Sequence, residues 1–134
     1  MDVIKRETLP IRAEVDLVHV RRAVKAWSTD LRFSTLDQTK MVTAASELSR
    51  NTLIYGGGGN AILELVEDYG RRGLRLVFED QGPGIADIEK AMTDGYTTGR
   101  GLGLGLGGSK RLVNDFDLVS RPGEGTRVSV TRWK

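Results

Sequence analysis

The sequence contains no cysteine, only three prolines and no apolar run long enough to cross a bilayer. The absence of cysteine excludes disulfide bonds and thiolate metal sites, and nothing points to an oxidising compartment. The opening MDVIKRE lacks the layout of a secretory signal, so the cytoplasm is the expected location. Twenty basic and eighteen acidic residues, interspersed along the chain, leave a formal charge of only +2. This balance predicts no strong attraction to nucleic acid or to a membrane.

The composition is that of one globular domain, with 39% hydrophobic and 28% charged residues. No repeat or Pro-rich linker divides the chain, so we expect a single domain over 1–134. Alternation in VIKRETLPIRA predicts a strand, and Pro10 suits a strand at a sheet edge. Apolar residues spaced by three and four positions predict an amphipathic helix over 14–31. A second helix is predicted from Ser34, where Ser-Thr-Leu-Asp resembles a capping box, to Tyr55.

After four glycines at 56–59 the spacing of apolar residues changes from that of a helix to that of a strand. AILELVEDY and LRLVFED are typical of strands, and GRRG between them indicates a hairpin. A short helix over 86–92, a glycine-rich segment and a helix over 108–116 are predicted next. The strands FDLVSR and TRVSVTRW follow, joined by the turn PGEG. This order predicts an α+β fold, a two-layer sandwich of a mostly antiparallel mixed sheet with helices on one face.

The second predicted helix carries a carboxylate and a carboxamide one turn apart. Glu47 and Asn51, in SELSRNT, are separated by four residues, which places both side chains on one helix face. A carboxylate can accept a proton or order a nucleophile, and a carboxamide oxygen is a hard ligand for Mg²⁺. The alternative is an ordinary solvated helix face.

Two further segments combine a polar residue with glycines where a predicted strand meets a turn. In EDQGPGI, Asp80 ends a strand, and Gly82 and Gly84 let the backbone approach a flat ligand that offers an amine, such as adenine. In GEGTRVSV, Thr126 begins the last strand, and its hydroxyl can share a water or a ring nitrogen with Asp80 if the two strands are neighbours. A plain turn and an ordinary strand threonine are the alternatives.

The segment GRGLGLGLGGSKRL places six glycines in its first ten positions, before a predicted helix. A flexible loop that enters a helix N-terminus can close over a triphosphate. GLGLGG matches the dinucleotide pattern G-x-G-x-x-G, but no apolar strand precedes it. The Walker pattern also fails, because Ser109 precedes Lys110 here. A disordered loop is the alternative to a phosphate-binding lid.

In this order the four features resemble the N, G1, G2 and G3 boxes of the GHKL (Bergerat-fold) ATP-binding family, which includes DNA gyrase, histidine kinases and small bacterial switch kinases. The segments ASELSRN, EDQGPGI, GLGLGL and GEGT are most similar to those of the RsbT-type serine/threonine switch kinases. The likeness spans nearly the whole chain. The lid is richer in glycine and leucine than is expected for that family.

The resemblance implies a role for each matching residue. Asn51 would coordinate Mg²⁺, and Glu47 would be the base or positioning carboxylate for phosphoryl transfer. Asp80 would recognise adenine, with Thr126 in the same network. Arg100 and Lys110 would lie near the phosphates, where a cation offsets developing charge, although both can equally be solvated. The residues that would shape the pocket and the lid are Gly82, Gly84, Gly101, Leu102, Gly103 and Gly105.

ATP and Mg²⁺ are the implied cofactors, and the implied activity is that of a serine/threonine protein kinase. Its expected partners are STAS-domain proteins, an antagonist and a co-antagonist, in a partner-switching cascade, and a PP2C-type phosphatase that the released kinase activates. The alternative is an anti-sigma factor, which binds a sigma factor, or an ATP-binding adaptor without catalysis. Because anti-sigma factors of the related RsbW type are also kinases, the catalytic segments alone do not separate these functions. The close match of SELSRN and EDQGPGI favours the kinase.

Overall fold

The computed structural model describes residues 1–85, Met92 and 105–134. The predicted short helix over 86–92 lies outside these residues, apart from Met92. No helix in the described ranges is long and apolar enough to span a membrane. The elements in chain order are β1 (Asp2–Ile11), α1 (Glu14–Asp30), α2 (Thr35–Ile54), β2 (Gly59–Asp68), β3 (Arg71–Asp80), α3 (Gly105–Arg111), β4 (Asp115–Ser120) and β5 (Thr126–Trp133).

The two long helices form where the sequence predicts them. The hydroxyl of Ser34 caps α2 by accepting the N–H of Asp37 at 3.1 Å, which satisfies one of the free donors at the helix start. At the start of α1, the carboxylate of Asp16 accepts the N–H groups of Arg12 and Ala13 at 2.8 and 3.0 Å. The hydrogen bond from the Arg12 N–H is the main reason that the pKa of Asp16 is lowered.

The strands form one five-stranded sheet in the order β1-β2-β3-β5-β4. Each of its four pairings is antiparallel. The predicted α+β architecture is therefore confirmed. Because β5 inserts between β3 and β4, the end of β3 and the start of β5 become neighbours. β1 lies at an edge of the sheet, as Pro10 indicates.

One face of the sheet is covered by the helices, and the other carries an ion cluster. Apolar residues of all five strands join those of the helices in one core. On the opposite face Glu64 is only 3% exposed, and it binds Arg6 Nη2 and Arg75 Nε at 2.7 Å each. Burial raises the pKa of Glu64, but the hydrogen bonds from Arg75 and Arg6 outweigh it and hold the pKa below the usual value.

The hairpin between β2 and β3 turns two positions earlier than GRRG indicates. Asp68 pairs with Arg71, so the turn consists of Tyr69 and Gly70, whose φ angles are 51° and 79°. Two consecutive positive φ angles are typical of a tight hairpin turn. Gly73 lies within β3 instead, where a Cβ would come within 2.8 Å of the Trp133 ring.

The predicted helix over 108–116 is wrong at both ends. α3 begins at Gly105 and ends at Arg111, and residues 106–109 are buried. Packing of this segment against α2 outweighs the low helix propensity of its glycines. Phe116 belongs to β4, in which Phe116, Leu118 and Ser120 are half-buried and the residues between them are exposed. That alternation has the period of a strand.

Candidate functional site

A single row of residues crosses the end of the sheet. Asp80 of β3 lies opposite Thr126 of β5 and Gly59 of β2. The row continues to Ser120 on β4 and to Ile11 on β1. Directly opposed residues of antiparallel strands project from the same face. Because Ile11 is fully buried in the core, this is the helix-covered face. The sheet thus brings together Asp80 and Thr126, as the sequence predicts for neighbouring strands.

The Asp80 carboxylate lies against the end of α2. A Cβ on Gly56, two residues after the helix, would overlap this carboxylate, and a Cβ on Gly82 would lie 2.8 Å from the Gly56 Cα. The Gly82 N–H donates to Asp80 Oδ1 at 2.9 Å. This bond fixes the carboxylate and leaves Oδ2 as an acceptor. Gly56 and Gly82 can therefore lie this close to Asp80 and to each other only because they have no side chains.

The loop after Asp80 is joined to the turn before Thr126. Gly84 has a φ of 76°, and a Cβ there would collide with the carbonyl of Arg121. The Gly123 N–H donates to the Pro83 carbonyl at 2.6 Å. EDQGPGI and PGEGT, which are far apart in sequence, therefore form one continuous wall beside the row.

Glu47 and Asn51 lie on α2 one turn apart, and both are half-buried. Neither side chain makes a hydrogen bond to another described residue. The Asn51 carbonyl accepts the N–H groups of Tyr55 and Gly56 at 2.9 and 3.2 Å. At 1.5 Å per residue, Asn51 lies about 7 Å along the helix from Gly56, and Glu47 about 6 Å further. The same helix thus carries both residues and ends at Asp80.

These residues fit the groups that the sequence implies. Carboxamide and carboxylate oxygens suit Mg²⁺, which is usually held by one or two protein ligands together with the phosphates of a nucleotide. A carboxylate surrounded by glycine backbone suits a flat base with an amino group.

Of the other predicted site residues, some lie outside the described residues and two lie in α3. Arg100, Gly101, Leu102 and Gly103 lie outside the described residues. Gly105 begins α3, and Lys110 is exposed in the last turn of this helix. Because α3 begins at Gly105, Lys110 is not in its first turn, where a helix from Gly108 would have put it. The proximity of Lys110 and Arg100 to phosphates stays a prediction.

Ser120 is a member of the row that sequence reasoning missed. Its Oγ lies 2.8 Å from the Ile85 nitrogen, 3.0 Å from the Gly125 carbonyl oxygen and 2.8 Å from Thr126 Oγ1. It therefore links the loop after Asp80 to the start of β5. A serine at the end of FDLVS has no distinctive sequence pattern, and only the pairing of β4 with β5 places it beside Thr126.

Comparison with known proteins identifies related sequences. Residues 36–134 match the family described as histidine kinase-, DNA gyrase B-, and HSP90-like ATPase. The chain is 46% identical over 123 residues to the serine/threonine-protein kinase RsbT of Bacillus subtilis. The aligned region covers 92% of this chain and 92% of that protein. It is also 34% identical over 100 residues to an anti-sigma F factor of Clostridium acetobutylicum, which covers 69% of this chain and 66% of that protein.

Two solved structures share the fold. The RsbU and RsbW domains of Rv1364c from Mycobacterium tuberculosis give a TM-score of 0.63 at 15% identity, which covers 97% of this chain and 33% of that one. The SiaB-SiaC complex from Pseudomonas aeruginosa gives a TM-score of 0.55 at 12% identity, which covers 98% of this chain and 91% of the chain compared. At these identities the likeness concerns the fold alone.

Proposed function

The chain belongs to the histidine kinase-, DNA gyrase B-, and HSP90-like ATPase family and, within it, to the RsbT-type serine/threonine kinases, and we propose that it phosphorylates STAS-domain proteins. The site of transfer would lie between α2 and the row at the end of the sheet. One observation carries this proposal. The helix with Glu47 and Asn51 ends close to the Asp80 carboxylate, so the groups for phosphoryl transfer and for base recognition lie on two elements, α2 and β3, that are in contact.

The roles of the residues follow from their chemistry. Asp80 accepts a hydrogen bond from the amino group of adenine, and Gly82 and Gly84 let the backbone approach the base. Asn51 would hold Mg²⁺, which would offset the charge of the phosphates when bound. The hydroxyl oxygen of the partner's Ser or Thr forms a bond to the γ-phosphorus, and the bond to the ADP oxygen breaks. Glu47 accepts the proton that the hydroxyl loses.

The partner-switching role rests on the relatives. An antagonist and a co-antagonist with STAS domains are the proposed substrates, and a PP2C-type phosphatase is the proposed second partner, which the chain activates when a substrate releases it. The cytoplasm is the proposed location. The similarity to an anti-sigma F factor favours a second candidate function, in which the chain binds a sigma factor. A sigma factor retained on the immobilised chain would support this second function.

The kinase proposal is tested by incubating the full chain with γ-labelled ATP, Mg²⁺ and purified STAS domains. We expect label on a Ser or Thr of the STAS domain. Asp80→Asn should weaken ATP binding at least about tenfold, because a hydrogen bond to a charged acceptor contributes about 1.5–3 kcal/mol. Glu79→Gln is the matched control, since Glu79 lies next to Asp80 but on the opposite face of the sheet. Equal ATP affinity in the two variants would contradict the assignment of Asp80. ATP binding without transfer to any STAS domain would contradict the activity.

A further inference from the structure

The hydroxyl of Ser120 takes part in three hydrogen bonds at once. Its partners are the N–H of Ile85 at 2.8 Å, the carbonyl of Gly125 at 3.0 Å and the hydroxyl of Thr126 at 2.8 Å. A serine hydroxyl has one proton to donate and two lone pairs that accept. All three contacts can therefore form together, but only with one assignment of the protons.

The Gly125 carbonyl determines that assignment. A carbonyl oxygen can only accept, so its bond uses the single proton of Ser120. The Ile85 N–H can only donate, so it takes one lone pair of Ser120. In the remaining bond Ser120 must accept and Thr126 must donate. The proton of Thr126 is thus turned toward Ser120, and only its lone pairs are left for a ligand.

Asp80, the neighbour of Thr126 in the row, likewise offers a ligand only hydrogen-bond acceptors. Carboxylate oxygens accept hydrogen bonds, and Asp80 Oδ1 already accepts the Gly82 N–H. Among the described residues, the two opposed polar side chains of β3 and β5 at the proposed base site therefore both accept hydrogen bonds. Such a pair is complementary to an amino group and is mismatched with a carbonyl oxygen, which would be left without a donor.

We propose that Ser120 is a positioning residue that sets the base specificity of the site: by holding the proton of Thr126, it selects a 6-aminopurine over a 6-oxopurine. This inference rests on the proposed nucleotide site. It also refines the role of Thr126, whose hydroxyl accepts from the amino group or from a bridging water and does not donate to a ring nitrogen.

The test measures the dissociation constants of ATP and of inosine triphosphate, which carries a carbonyl at position 6, by calorimetry on the full chain. The wild-type chain should prefer ATP. In Ser120→Ala the preference should fall about tenfold, because the freed hydroxyl of Thr126 can turn its proton to the carbonyl oxygen. Ser120→Thr keeps a hydroxyl and should restore the preference. Ser129→Ala is the matched control, since Ser129 lies on β5 but on the opposite face.

The same substitution made in a Thr126→Val chain separates the positioning role of Ser120 from a merely structural role. If Ser120 acts through Thr126, Ser120→Ala should not change the preference further in a Thr126→Val chain, which lacks the hydroxyl. An unchanged preference in folded Ser120→Ala would overturn the inference. If that variant does not fold, Ser120→Cys provides the same test, because a thiol is a weak donor and a weak acceptor. If the wild-type chain bound neither nucleotide, that result would instead contradict the proposed nucleotide site itself.

Discussion

The carboxylate of Asp80 occupies the space that a Cβ of residue 56 would take. Gly56 lies two residues after the end of α2, and its N–H donates to the carbonyl of Asn51 at 3.2 Å. The residue proposed to recognise the base is therefore packed against the helix that carries the residues proposed to act on the phosphates. A change at this contact should affect nucleotide binding more than it affects the fold.

Gly56→Ala tests this contact. The added methyl group must displace the Asp80 carboxylate or the end of α2, and overpacking of this kind costs about 1–3 kcal/mol. We expect ATP affinity to fall at least tenfold while the chain still unfolds in one cooperative transition, measured by calorimetry and by thermal melting. Gly70→Asn is the control, because Gly70 has a φ of 79° with open space around it, and Asn tolerates that conformation. Wild-type affinity in Gly56→Ala would contradict the proposed base site.

Glu47→Ala should separate binding from transfer. Loss of a general base typically lowers a rate by 10²–10⁴-fold, and Glu47 lies about two and a half helical turns from Gly56 by the geometry of an α-helix. We expect the rate of transfer to a STAS domain to fall by about that factor, with the ATP dissociation constant unchanged. Arg50→Ala is the control on the same helix, since Arg50 is exposed and its Nη1 lies 3.8 Å from Glu14 Oε1. Equal transfer rates in Glu47→Ala and wild type would exclude Glu47 as the base.

The helices could be predicted from the sequence because their signals are local. The spacing of Leu17, Val20 and Val24 and the cap at Ser34 depend on residues within two turns of each other. The candidate residues Glu47 and Asn51 are predicted for the same reason, and their roles stay predictions. Asp80 is predicted because Gly82 and Gly84 mark it as the end of a strand.

The features that were missed depend on pairing between distant segments. Gly70 and Gly73 are equally suited to a turn, and the pairing of Gly73 with Val66 and Trp133 places it inside β3. Ser120 has a role only because β5 lies beside β4 and brings Thr126 opposite to it. Strand register of this kind is not encoded in any one segment.

The ion cluster on the open face of the sheet should contribute to stability. Glu64→Gln leaves Arg6 and Arg75 without their shared carboxylate, and we expect a loss of about 2 kcal/mol in the free energy of unfolding at neutral pH. Glu67→Gln is the control on the same strand, because Glu67 Oε2 lies 3.7 Å from Arg72 Nε in an exposed pair, for which a loss below about 1 kcal/mol is typical.

The pH dependence of this contribution has a definite sign. The pKa of Glu64 in the folded chain lies below its ordinary value of 4.5. The carboxylate therefore stabilises the fold fully above that ordinary value, and this stabilisation is lost as the pH falls through the lowered pKa. Urea titrations across this range should show a steeper loss of stability in wild type than in Glu64→Gln. Parallel curves for the two chains would contradict the contribution of Glu64.

Arg132 joins three elements at the end of the sheet away from the site. Its Nη2 lies 2.7 Å from Asp37 Oδ1 in the first turn of α2, and its Nη1 donates to the Leu112 carbonyl, just after α3, at 3.1 Å. Arg132→Ala would leave both acceptors without this donor, so we expect a loss of about 2–3 kcal/mol in the free energy of unfolding. In a cycle with Asp37→Asn, the coupling energy should be about 1–2 kcal/mol.

Nucleotide affinity should distinguish this structural role from a role in the site. Arg132 lies opposite Leu74 on β3, six residues from Asp80, which corresponds to about 20 Å along a strand. We therefore expect Arg132→Ala to bind ATP with wild-type affinity at a temperature where it is folded, whereas Asp80→Asn loses affinity without a comparable loss of stability. Arg127→Ala, an exposed arginine on the same strand, should change neither quantity. If Arg132→Ala lowered ATP affinity in the folded chain, the site would extend further along α2 than the contacts of Asp80 indicate.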